Sequence, residues 1–251
     1  MVGSIDGGEE QVSGDLYSDY MRREPHPRNA VFIRKWHGKL LGIAIKNRQS
    51  QPQSILEIGP GHGYLADHCR SLGIRYEFCD TSPAVVASME AQGFKGYLGL
   101  VDQVAAQLGK YDMVWMSHVL EHSPTWLDAR KMIETARNLL NAEGQAVIVS
   151  PDIMNWRREF WNVDWSHGYP TSIRNVSQMC SDVGLTRIIA QHHRNGSTQL
   201  LTRALFAVIA LTPHRLIDRI LSPTRYKVGD GFTYSWKCVF GWRQILIQAS
   251  Q

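Results

Sequence analysis

The run Ser54-Ile55-Leu56-Glu57-Ile58-Gly59-Pro60-Gly61-His62-Gly63-Tyr64-Leu65 constrains the fold more than any other stretch of the chain. Its first five residues are mostly apolar, short and bounded by turn residues, which predicts a strand buried in a parallel sheet. Glycines at 59, 61 and 63 let the backbone take positive φ and approach a ligand closely. A helix entered directly from such a turn offers free N–H groups and the positive end of its dipole to that ligand. The spacing is Gly-x-Gly-x-Gly, whereas the dinucleotide fingerprint is Gly-x-Gly-x-x-Gly, and position 64 is Tyr. The neighbouring elements must therefore decide between a ligand-binding turn and a structural one.

Arg75–Asp80 reads as a second strand that ends in a carboxylate, placed to accept hydrogen bonds from the hydroxyls of a ribose. Tyr111–Ser117 reads as a further strand, with His118-Val119-Leu120-Glu121-His122 directly after it. A helix with apolar spacing (Met132, Ile133, Ala136, Leu139, Leu140) then leads through Glu143-Gly144 into the strand Gln145–Ser150. Taken together, "LEIGPGHG", the acid ending the second strand, "YDMVWMSHVLEH" and "LLNAEGQAVIVSP" resemble the motifs of class I S-adenosylmethionine-dependent methyltransferases, in order and spacing, over roughly residues 50–193. The resemblance implies S-adenosyl-L-methionine as cofactor, S-adenosyl-L-homocysteine as product, and a Rossmann-like α/β fold. That fold is a doubly wound, seven-stranded, mostly parallel sheet whose last strand is antiparallel. It places Gly59, Gly61 and Gly63 under the methionine and ribose portions and Asp80 on the ribose. Glu57 would organise the glycine loop and bind the amino-acid end, directly or through water. Ser117 and His118 would line the junction of cofactor and acceptor.

The alternation continues as helix 63–72, strand 75–80, helix 82–92, a short strand near Gly96–Leu100, strand 112–117, helix 125–141, strand 145–150, helix 171–183, strand 185–192 and a last strand over Arg243–Ala249. Such alternation predicts a parallel sheet with helices on both faces. A chain of 251 residues can bury one large core. Ahead of the core, residues 1–14 read as a disordered tail without the basic start and apolar run of an export signal, and 15–48 as a helical cap. In that cap Val31, Phe32, Trp36, Leu40, Leu41 and Ile45 recur at three- and four-residue steps, suiting a helix packed on the sheet or a lid over the cofactor. Residues 49–251 then form the cofactor-binding domain.

Two stretches exceed a minimal core. Residues 151–170 are rich in Trp and Tyr and follow a strand's carboxyl end, so they are the candidate acceptor loop. Residues 195–238 form an expected helical insertion before the last strand, with the apolar run Ala204–Leu211 and an amphipathic "HRLIDRIL". It suits a cap, a homodimer face, or a peripheral membrane contact through 197–222.

The net charge of +4 is mild, and Lys and Arg are scattered apart from Arg22-Arg23 and Arg157-Arg158, which argues against a nucleic-acid partner. Cys69, Cys79, Cys180 and Cys238 form no C-x-x-C pair and read as reduced thiols in a cytoplasmic protein.

Methyl transfer needs the nucleophile, methyl and sulfur in line, and a base where the acceptor is a hydroxyl. His118 is a candidate base by position. Asp164 and His167 are a second candidate set, as a carboxylate orienting an imidazole or as two metal ligands; no metal is favoured. His192-His193 ends a strand, with capping as the default role. His118–His122 also spells the H-x-x-E-H of inverted zinc peptidases, but Ser123-Pro124 would end any helix there within a turn. The reading these features favour is O-methylation of a small-molecule or glycan hydroxyl in a biosynthetic pathway. The alternatives are N- or C-methylation of a small molecule or quinone-type lipid, and a non-catalytic partner that keeps the fold.

Overall fold

In the computed structural model of the protein the described residues are 27–193 and 243–251. Seven strands, β1 (Ser54–Ile58), β2 (Arg75–Asp80), β3 (Lys95–Leu98), β4 (Tyr111–Ser117), β5 (Leu140–Pro151), β6 (Arg187–His193) and β7 (Gln244–Ser250), form one sheet in the order β3-β2-β1-β4-β5-β7-β6. β1 to β5 pair parallel, and β7 runs antiparallel between β5 and β6. This is the Rossmann-like methyltransferase arrangement expected from the motifs.

Helices α1 (Pro27–Arg48), α2 (Tyr64–Ser71) and α3 (Pro83–Ala91) cover one face. There Leu40, Leu41 and Ala44 pack with Ile55, Leu65, Phe78 and Trp115. The short α4 (Val101–Val104), with α5 (Trp126–Asn138) and α8 (Ile173–Asp182), covers the other. On that side Val104, Ile133, Ala136 and Val176 pack against Leu56, Val114 and Ile148. Alternate residues of each strand feed opposite faces, so β1 sends Ile55 to one core and Leu56 to the other. Helix starts are marked by side chains that accept an orphan N–H: Ser82 for α3, Thr125 with Asp128 for α5, and Ser172 for α8.

Two local expectations need correction. The helix expected over 125–141 stops at Asn138, and β5 begins at Leu140 rather than 145. Tyr111 pairs with Leu140 while Met113 pairs with Gln145, so Asn141–Gly144 bulge out and hide the strand start from a periodicity reading. The acceptor loop is not irregular throughout. It holds two one-turn helices, α6 (Ile153–Trp156) and α7 (Glu159–Asn162), built around the buried pair Trp156 and Phe160. Of the two roles weighed for α1, the structure shows the packing on the sheet. Leu40 and Leu41 anchor it in the core, while Trp36 and His37 lie against the rings of His118 and Tyr64.

The tail, the first part of the cap, Cys238 and the insertion 195–238, with its membrane-contact segment 197–222, lie outside the described residues. Among the described residues no helix is long and apolar enough to cross a membrane.

Candidate active site

Because β1, β2, β4 and β5 are parallel, their carboxyl ends share one edge of the sheet, where open α/β folds bind ligands. β1 and β4 are neighbours, with Ile58 opposite Met116, so the glycine loop and the His118–His122 turn lie side by side. Gly59, Gly61 and Gly63 adopt φ of +69°, +53° and +72°, left-handed values that cost other residues about 1–2 kcal/mol. The Gly59 N–H donates to the Cys79 carbonyl at 2.9 Å, tying the loop to β2. A Cβ on Gly59 would stand 2.6 Å from Val119 Cγ2, and one on Gly63 would stand 2.5 Å from Met89 Sδ. These two glycines therefore answer to packing inside the protein, a cause the motif does not reveal.

Asp80 ends β2 as expected, with Oδ1 accepting the Ser82 N–H at 2.8 Å. Burial raises its carboxyl to about 6, against backbone hydrogen bonds from Ser82 and Thr81 that lower it. Glu57, expected to organise the glycine loop and bind the amino-acid end directly or through water, is buried near the end of β1. Its carboxyl accepts the Tyr76 phenol O–H at 2.5 Å, which ties it to β2. Burial pushes it up to about 8, the Tyr76 bond works against that, and the Asp80 charge adds to it.

At the same corner the Trp36 ring lies 5.9 Å from that of His118, and the His37 ring 5.9 Å from that of Tyr64. Trp36 Nε1, His37 Nδ1 and Ser117 Oγ are buried polar atoms with no hydrogen-bond partner. Buried groups of this kind ordinarily have partners, and a polar ligand would supply them. With Asp80 and the open glycine backbone, they fit a cofactor that joins a nucleoside to an amino acid.

His118 has φ +57°, and its N–H donates to the Val149 carbonyl at 2.9 Å. Its Nδ1 lies 3.0 Å from Oε1 of Glu121, which is fully buried and also takes the Ser150 hydroxyl on Oε2 at 2.8 Å. Burial would raise the Glu121 carboxyl, but the His118 hydrogen bond and the His118 and His122 charges outweigh it and hold it below its usual range. In the sequence Glu121 stands out only as part of H-x-x-E-H. Its i+3 spacing from a histidine after a sheet strand was the available signal.

The second candidate set is rearranged. Asp164 accepts both the N–H and the hydroxyl of Ser166, at 2.9 and 2.6 Å. A carboxylate in a turn closes readily on the backbone two residues on. His167 is held by Phe160 instead, with Nδ1 2.5 Å from that carbonyl, so the expected Asp164–His167 dyad is corrected. His167 is buried, and burial lowers it below the usual imidazole range. The loop is pinned to the turn after β4 by Gly168 and Tyr169 N–H groups, which donate to the Glu121 carbonyl at 2.9 and 3.1 Å. That pinning sets the His167 ring edge-on to His122, with centroids 4.9 Å apart.

The inverted zinc-peptidase reading fails on geometry. The left-handed His118 and the 3-10 turn Leu120–His122 give the two histidines no common helix face. His192 meets Asp152 Oδ2 at 2.7 Å, tying β6 to the start of the acceptor loop. Burial lowers His193 to about 4.

Solved structures share this fold at low identity. A SAM-dependent methyltransferase from Archaeoglobus fulgidus is 16% identical, with 87% of this chain and 94% of that one covered and a TM-score of 0.61. Magnesium protoporphyrin IX methyltransferase from Synechocystis, solved with bound SAM, is 14% identical (95% and 93% covered, TM-score 0.58). A phosphoethanolamine N-methyltransferase from Haemonchus contortus is 14% identical (94% and 60% covered, TM-score 0.60). Among curated proteins, none matches the sequence. A methyltransferase domain family does match, over residues 29–191, from α1 through β6. With that span and this sheet order, the chain belongs to the methyltransferase domain family and carries the class I S-adenosylmethionine-dependent fold.

Proposed function

We propose that the protein transfers the methyl group of S-adenosylmethionine to a hydroxyl of a small molecule or glycan, with His118 as general base. The observation that carries this reading is the buried Glu121 bonded to His118 Nδ1 beside the glycine loop. That bond orients the imidazole and leaves Nε2 for the acceptor's proton. In the step itself the acceptor oxygen attacks the methyl carbon, the C–O bond forms and the S–CH₃ bond breaks. The hydroxyl proton passes to His118, and S-adenosylhomocysteine leaves. Trp161 and Trp165, 49% and 77% exposed on the acceptor loop, offer faces of the kind that stack on sugar or aromatic rings. The buried free thiols Cys69, Cys79 and Cys180 suit a cytoplasmic setting.

The test is transfer of labelled methyl from S-adenosylmethionine to a panel of hydroxyl, amine and carbon acceptors. Label is expected on a hydroxyl, and His118→Ala should cut turnover by about 10²–10⁴ with cofactor affinity kept. Turnover onto an amine or carbon, indifferent to His118→Ala, would replace the reading with N- or C-methylation.

A further inference from the structure

The turn after β4 and the acceptor loop bring together three groups that the transfer step does not use as a set. One ligand atom each from Glu121, His122 and His167 lie within 4.8 Å of one another. We propose that Glu121, His122 and His167 bind one divalent transition-metal ion of the zinc kind, with a coordination position left open toward the acceptor loop. The ligand set is two imidazoles and one carboxylate, found at zinc sites that keep an exchangeable position, and too nitrogen-rich for Mg²⁺ or Ca²⁺.

The surroundings support this more than the three ligands alone would. A metal-binding histidine commonly has its other ring nitrogen fixed by a carbonyl, hydroxyl or carboxylate. Both do here. His167 Nδ1 faces the Phe160 carbonyl, which can only accept, so that nitrogen carries the proton and Nε2 keeps its lone pair. His122 Nδ1 is 2.8 Å from Ser166 Oγ, whose proton goes to Asp164 Oδ1 at 2.6 Å. This gives Asp164 a place in the site, as support for His122 through Ser166. Glu121 is held by His118 and Ser150, one on each oxygen, and each oxygen retains a lone pair for a cation. Bonds of about 2.0–2.2 Å place zinc donors about 3–4 Å apart, so closure needs an inward shift of about 1 Å. His122, half-buried, is the most exposed of the three ligands. The metal site stands on this geometry alone; a role in orienting an acceptor oxygen would rest on the hydroxyl reading above.

The full-length protein, stripped with a chelator, would be titrated with Co²⁺ as an optical stand-in for Zn²⁺. One equivalent is expected to bind, with visible ligand-field bands that Zn²⁺ displaces. His122→Ala and His167→Ala should each weaken binding at least about 100-fold, and Ser166→Ala about 10-fold, as loss of an outer partner does. His68→Ala, which removes a histidine bonded to the Arg34 carbonyl, should change nothing. Each variant would also be titrated with S-adenosylhomocysteine, which separates loss of the fold or cofactor site from loss of metal. Should His167→Ala fail to fold, the half-buried His122→Ala decides. No stoichiometric binding by the wild type, undiminished binding in His122→Ala, or preference for Mg²⁺ over Zn²⁺ would overturn the proposal.

Discussion

Glu57 shows how burial sets the chemistry of single residues here. Its carboxyl is raised from 4.5 to about 8, chiefly by burial, so the fold prefers the neutral acid. The stability this group contributes is then present below about pH 4.5 and lost as pH rises through about 8. Glu57→Gln keeps an acceptor for Tyr76 without a charge, so it should raise the thermal midpoint at pH 9 and hardly move it at pH 5. An equal shift at both values would remove the linkage. For Asp80 the sign concerns binding. An ionised carboxylate accepts ribose hydroxyls better than a neutral one, so S-adenosylhomocysteine should bind more tightly as pH rises through about 6. Asp80→Asn should flatten that dependence, and a persistent rise in calorimetry of the variant would assign it elsewhere. Asp80 and His118 were legible in the sequence because their positions follow from where strands end. The Glu121–His118 bond was not, since it depends on a left-handed backbone at His118 that a non-glycine residue rarely adopts.

At the level of elements, the glycine loop and the turn after β4 are one packed unit. Gly59→Ala would put a Cβ against the stiff Val119 side chain as well as into a strained φ. It should destabilise the protein by about 2–5 kcal/mol in denaturant unfolding, the strain and the overpacking adding. Removing the obstacle in Gly59→Ala/Val119→Ala should recover part of that loss, a coupling a double-mutant cycle reads directly. Strict additivity would mean the two segments do not press on each other. Strand and helix order were readable because alternating apolar runs and side-chain caps mark them locally. The early start of β5 and the helices α6 and α7 were not, because they depend on a bulge and on Trp156 and Phe160 packing together. Asp164 illustrates the same limit. Its spacing from His167 suggested a dyad, while the turn geometry that hands it to Ser166 is a property of the folded loop.

For the whole molecule, one edge of the sheet gathers everything the proposed chemistry requires. The glycine loop and Asp80 come from β1 and β2, His118 and Glu121 from the end of β4, and the acceptor loop from the end of β5. α1 brings Trp36 against His118 at this edge while Leu40 and Leu41 hold it to the core. Fold and cofactor class were legible at this scale because they rest on motif order; the acceptor was not, because it depends on side chains drawn together from separate elements. The central claim is that this edge is a cofactor site divided between a ribose-holding Asp80 and a base that does not hold the cofactor. Calorimetric titration of S-adenosylhomocysteine into the wild type, Asp80→Ala and His118→Ala tests it most directly. The account predicts one site in the wild type and a loss of about 10- to 150-fold in Asp80→Ala, the size of a charge-assisted hydrogen bond. It predicts less than about a threefold change in His118→Ala, whose contribution falls on turnover. No binding by the wild type, or equal affinity in wild type and Asp80→Ala, would contradict it.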